Sequence, residues 1–147
     1  MNMMQTVVSQ FKQPHGVLGQ VAGYIMANRS SNIERNIWTL KLLDIQPEDH
    51  LLEIGFGPGF AIRKAAEIIE QGFIVGVDHS QTMLDQASRR NATAIKDGRV
   101  DLILGSLRNL STYENSFDKV FSANVIQFWP EPRDYFFQIR KLIKTGG

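Results

Sequence analysis

Leu51-Leu52-Glu53-Ile54-Gly55-Phe56-Gly57-Pro58-Gly59-Phe60 constrains this chain more than any other stretch. An apolar run carrying one acid, three glycines at alternate positions and an amphipathic continuation together predict a buried strand, a tight turn and a helix start. Glycine tolerates positive φ there and lets a ligand approach the backbone without meeting a Cβ. In open α/β sheets, nucleotide-like ligands sit beyond the carboxyl end of the first strand. A dinucleotide fingerprint would read G-x-G-x-x-G. Here Phe60 stands where the last glycine would be, and Pro58 has no backbone N–H to offer a pyrophosphate. Glu53, two positions before Gly55, suits a cationic group better than two phosphates.

The chain before this stretch is less regular. Residues 1–13 are polar and Met-rich, and residues 14–30 hold glycines spaced too irregularly for a phosphate loop. Ser31-Asn32-Ile33-Glu34 has the form of a capping box, which predicts a helix starting there. Ile33, Ile37 and Leu40, broadened by Trp38 and Leu43, form its apolar face, with Trp38 expected in the core. After the glycine turn, Ile62, Ala65, Ala66 and Ile69 predict a helix closed by Gly72. Phe73–Asp78 then reads as a second strand with Asp78 at its carboxyl end, and Ser80 as the cap of the next helix. Val100–Leu104 reads as a third strand, and the stretch from Phe117 to Ala123 as a fourth. Pro130-Glu131-Pro132 opens a last helix buried through Tyr135, Phe136, Ile139, Leu142 and Ile143.

The pattern E-x-G-x-G-x-G at Glu53–Gly59, the acid Asp78, the Gly105-Ser106 pair and the S-F-D-x-V form of Ser116–Val120 occur in that order. Together they resemble the class I S-adenosylmethionine-dependent methyltransferases over roughly residues 47–147. The resemblance implies an α/β fold, a doubly wound Rossmann-like sheet ordered 3-2-1-4 and truncated after about four parallel strands, with N-terminal helices. It divides the chain into an N-terminal helical cap or lid (1–46) and a cofactor-binding core (47–147).

On that resemblance S-adenosylmethionine is the cofactor. Glu53 would take its ammonium side, Gly55, Phe56, Gly57 and Gly59 would give close backbone approach, and Asp78 would hold both ribose hydroxyls. His79 would lie near the adenine edge, and Met83 would pack in the core or cover the base. Family members usually have Gly-Asp where this chain has Gly105-Ser106, so Ser106 or the backbone of Leu107 would serve the adenine. Asn124 would face the methionine part or bond its own backbone. Residues 14–30 read first as a loop and short helix packing over the cleft; as a lid of the kind the resemblance implies, they would carry Tyr24, Met26 and Asn28 to the substrate side, with Tyr24 and Asn28 the candidates for substrate contact. Methyl transfer from a sulfonium needs no general base unless the nucleophile must lose a proton, so no catalytic residue is named.

The expected function is methyl transfer to a small molecule. A non-catalytic cofactor-binding or interaction module is the alternative, and a nicotinamide oxidoreductase is disfavoured by Pro58 and Phe60. Three further strands would complete the family's sheet. Their absence leads to the expectation of either a truncated product or a second chain, another copy or a different partner, against the fourth strand's edge. Net charge +1 gives no reason to expect nucleic acid or an acidic membrane as partner. The three histidines show no metal spacing, and the absence of cysteine excludes thiol chemistry and cysteine-bound zinc. A soluble cytoplasmic protein is expected.

Overall fold

The computed structural model describes residues 17–19, 21 and 29–147. Tyr24, Met26 and Asn28 lie outside the described residues. The described elements are α1 (Ser30–Leu43), β1 (His50–Ile54), α2 (Phe60–Ala66), β2 (Phe73–Asp78), α3 (Gln81–Arg90), α4 (Ala92–Lys96), β3 (Val100–Leu104), β4 (Lys119–Phe121) and α5 (Pro132–Leu142). Two 3-10 turns, Leu107–Tyr113 and Ile126–Phe128, flank β4.

The sheet is parallel throughout and ordered β3-β2-β1-β4, as the resemblance implies. Leu51 pairs with Ile74 and Leu52 with Val75. The first pair packs into one core with Leu40, Ile62, Ala65 and Met83, the second into another with Leu110, Phe117, Trp129 and Leu142. A sheet covered on both faces explains why these strands are largely apolar, with Glu53 the one acid inside β1.

Several local expectations are corrected. α1 begins at Ser30 with Arg29 as its N-cap, and no side chain caps it. Ser31 therefore lies inside the first turn, and the capping box does not form. Trp38 is 63% exposed and Leu42 64%, while Leu40 alone is fully buried in α1. Ile37, 37% exposed, already lies at the edge of the strip that packs on α2, and Trp38, one residue and roughly 100° further round, falls outside it. α2 ends at Ala66, well short of Gly72. The segment after it turns on Pro47, whose carbonyl accepts from the N–H groups of Glu70, Gln71 and Gly72.

Gly72 serves a close approach instead: a Cβ there would overlap the backbone carbonyl of Asp49. Gly72→Ala should cost about 1–3 kcal/mol of stability, as overpacking against an unyielding group does. Urea denaturation measures it, and an unchanged midpoint would show that the turn can shift aside.

β4 is confined to Lys119–Phe121 rather than running from Phe117 to Ala123. Its start is fixed by the Asp118 carboxylate, which accepts from the His50 N–H at 2.8 Å and from Lys144 Nζ at 2.9 Å. These bonds hold the Asp118 carboxyl below its ordinary range, against the opposing effect of its partial burial. Pro132 starts α5 at its first turn, but Phe136 is 55% exposed and Ile143 half-buried. Trp129 fills the place over the sheet, stacked on Tyr135 at 4.5 Å, so Phe136 meets only its edge from outside.

Candidate functional site

The carboxyl ends of β1, β2 and β4 open into a cleft of about 380 Å³. Its floor is the glycine turn. Gly55, Gly57 and Gly59 all have positive φ, at 74°, 52° and 79°. Their neighbours separate their duties. A Cβ on Gly59 would collide with Ala87 and Asn91, so this glycine lets α3 pack against the turn, and it does not line the cleft. A Cβ on Gly55 would collide with the Val125 side chain. Gly57 lines the cleft, and a Cβ there meets no atom within 4 Å. Phe56 also lines the cleft while its ring is buried against Gly76.

Asp78 is 7% exposed, and both its carboxylate oxygens accept backbone hydrogen bonds. Oδ2 takes the N–H of Gly57 at 2.9 Å, and Oδ1 takes that of Ser80 at 2.9 Å. This one side chain thus ties the glycine turn to the end of β2. Ser80 caps α3, its hydroxyl accepting from the Met83 N–H, which relieves Asp78 of that duty. Each carboxylate oxygen has a second acceptor site for a donor in the cleft.

Glu53 is 2% exposed and lines the same cleft, and its Oε2 is buried without a hydrogen-bond partner. Burial, and secondarily the negative charge of Asp78, push its pKa well above the usual carboxylate range. A buried acceptor left unmatched is costly unless something completes it. Met83, 2% exposed, packs in the core and lines the cleft at once, while His79 stands at the rim with its side chain 54% exposed.

Ser106 and Leu107 are not brought to the cleft. Ser106 forms a capping box with Asn109 at the start of the 3-10 turn, and Leu107 is buried in the core beside β2. Asn124 is brought there, in a left-handed conformation with φ 61°. Its Oδ1 accepts from Arg35 Nη1 at 2.8 Å, and its carbonyl from Gln127 Nε2 at 2.8 Å.

Sequence reasoning missed the roof of the cleft. Arg29, Asn32, Arg35 and Asn36 project from α1 and the residue before it, facing the glycine turn. They form a polar strip spaced about one helical turn apart, beside the strip of Ile33 and Leu40 and not opposite it. Polar faces of helices usually meet water, so nothing singled this one out. The cleft therefore has two carboxylates on its floor and two guanidiniums above. Among the described residues, no group of three or more His, Asp or Glu side chains could hold a metal ion. None of the described helices is long and apolar enough to cross a membrane.

Residues 51–147 match a family model described as "Methyltransferase domain". The chain is 35% identical over 127 residues to the uncharacterized methyltransferase YdaC of Bacillus subtilis, covering 86% of this chain and 67% of that protein. Across three curated relatives it spans from 31% to 67% of their length. Among solved structures it is similar to Haemonchus contortus phosphoethanolamine N-methyltransferase 2, held with S-adenosylhomocysteine and phosphomonomethylethanolamine. That match has a TM-score of 0.71 and 28% identity, over 84% of this chain and 30% of that one. A SAM-dependent methyltransferase from Aquifex aeolicus shares the fold, with a TM-score of 0.70 at 18% identity over 85% of this chain and 67% of that one.

Proposed function

The chain belongs to the methyltransferase-domain family, and on that premise we propose that its cleft binds S-adenosylmethionine and delivers the methyl group to a small molecule. The observation that carries this reading is the buried, partnerless Glu53 Oε2 beside Asp78 at the glycine turn. A ligand with an ammonium and two ribose hydroxyls supplies the donors that this pair lacks. Gly57, open toward the cleft, admits a ligand against the backbone, and no phosphate is needed.

When bound, S-adenosylmethionine offers a methyl on a sulfonium centre, displaced in line by the acceptor with a neutral leaving group. The chain's own residues orient and exclude water. Asp78 would fix the ribose, Glu53 the ammonium, and Met83 and His79 would flank the base. Such orientation is worth about 7–11 kcal/mol in favourable intramolecular models. No base is assigned, since a nucleophile that carries no proton to lose at neutral pH needs none. Titration calorimetry with S-adenosylhomocysteine and with NAD tests the cofactor: binding of NAD alone would refute it. A radiolabelled methyl-transfer panel of small metabolites then separates transfer from mere cofactor binding, the rival reading. The same proposal places the protein in the cytoplasm, with a second chain or copy against β4, which among the described residues pairs with β1 alone.

The cofactor's carboxylate needs a cation, and of the two guanidiniums lining the cleft we assign it Arg35, whose Nη1 is fixed by Asn124 Oδ1. Arg35→Ala should weaken S-adenosylhomocysteine by roughly tenfold or more, the worth of a charge-assisted hydrogen bond. It should leave 5′-methylthioadenosine, which lacks the amino-acid end, unaffected. Equal losses for both ligands would move Arg35 away from the carboxylate.

A further inference from the structure

Arg35 and Asn124 meet at the cleft from elements 89 positions apart, α1 and the loop after β4. The loop end of this contact is held by its surroundings. Asn124 stands in the left-handed region at φ 61°, which asparagine tolerates better than most residues. Its carbonyl accepts from Gln127 Nε2 at 2.8 Å. Val125, next in the chain, packs against Gly55, where a Cβ would collide with it. The Asn124 amide is thus anchored to the floor of the cleft. Arg35 is the long end, an exposed side chain with several rotatable bonds.

The chemistry of the contact matters as much as its place. A guanidinium has only donors to offer, so the atom that meets it is the amide oxygen. An amide oxygen fixes Arg35 without neutralising it. Among the described residues no ion pair includes Arg35. Its hydrogen bond to Asn124, through Nη1, leaves most of its five N–H donors for a further partner. An aspartate in the same place would hold the side chain equally well and cancel its charge.

We propose that Asn124 is a positioning residue that acts on the cofactor through Arg35, holding the guanidinium, still charged, where the carboxylate of the cofactor's amino-acid end arrives. This rests on the reading of the cleft as an S-adenosylmethionine site with Arg35 as the carboxylate's partner. Ordering a long side chain at the moment of binding is costly, and a contact formed beforehand removes that cost. Asn124 itself touches no ligand atom.

Asn124→Gly removes the amide and keeps the left-handed backbone without strain, while Asn124→Asp keeps the shape and adds a charge. Titration calorimetry of the full chain with S-adenosylhomocysteine reads both. Asn124→Gly should weaken binding about two- to tenfold, the worth of one side chain ordered in advance. It should leave decarboxylated S-adenosylhomocysteine, which keeps the ammonium, unchanged, and should cost nothing more in an Arg35→Ala background. Asn124→Asp should weaken S-adenosylhomocysteine further, by pairing with Arg35 and repelling the carboxylate. An equal loss in both backgrounds would put Asn124 against the ligand itself and overturn the proposal. Tighter binding by Asn124→Asp would place it at the ammonium and overturn it too. So would equal losses for the decarboxylated analogue, the mark of a loosened loop. Unchanged affinity in Asn124→Gly would end the proposal and leave the cofactor reading intact, whereas a wild type that binds no S-adenosylhomocysteine would end both. Should Asn124→Gly fail to fold, the sign of the Asn124→Asp effect carries the test.

Discussion

Asp78→Ala should weaken S-adenosylhomocysteine binding by about 1.5–3 kcal/mol, the range for hydrogen bonds to a charged group, and should destabilise the unliganded protein as well. The two losses have different origins. Removal of the carboxylate takes the acceptor from any ribose in the cleft. It also strands the N–H groups of Gly57 and Ser80, both of which it accepts. A buried donor left unpaired costs about 1–3 kcal/mol, less wherever water enters from the cleft. Denaturant melts measure the second loss and titration calorimetry the first.

A looser turn would lower affinity even if Asp78 never touched a ligand, so affinity alone does not separate the roles. The ribose does. Wild-type protein should prefer S-adenosylhomocysteine over its 2′-deoxy analogue, and Asp78→Ala should lose that preference. A preference that survives the substitution would confine Asp78 to holding the turn and leave the ribose to other groups.

This double duty shows where sequence could and could not lead. β2 and β3 span Phe73–Asp78 and Val100–Leu104, the bounds read from their apolar runs; β2, buried almost throughout, writes its length in hydrophobic residues, while β3 at the sheet edge keeps Asp101 and Leu104 exposed. The positive φ of Gly55, Gly57 and Gly59 was likewise legible, since little else tolerates a turn of that kind. The partition of labour among those glycines was not. That Gly59 faces Ala87 and Asn91 while Gly57 faces open space depends on how α3 lies across the turn, and no spacing encodes it. Trp38 and Phe136 failed for a related reason. Periodicity says which residues share a helix face but not how wide a strip the neighbour covers, so both residues at the margin stayed outside. Arg35 was invisible because its partner, Asn124, is 89 positions away.

Glu53 sets the remaining large effect, a dependence on pH. Its folded-state pKa is raised by burial and then by Asp78, so the native protein holds a proton that the unfolded chain releases near the ordinary glutamate value. The stability tied to that proton is fully present below the unfolded pKa and is lost as pH rises toward and through the folded one. Glu53→Gln keeps the shape and cannot ionise. The unliganded variant should therefore be more stable than wild type at pH 8, and its stability should fall less between pH 5 and pH 8. An ammonium brought against Glu53 reverses the preference, since an opposite charge favours the ionised carboxylate. Binding of S-adenosylhomocysteine should then expel a proton from wild-type protein and tighten as pH rises, whereas Glu53→Gln should show neither. Calorimetry in buffers of different ionisation enthalpy counts that proton directly. Equal proton release by wild type and variant would mean that the ammonium lies elsewhere and that the buried carboxylate stays neutral beneath the ligand.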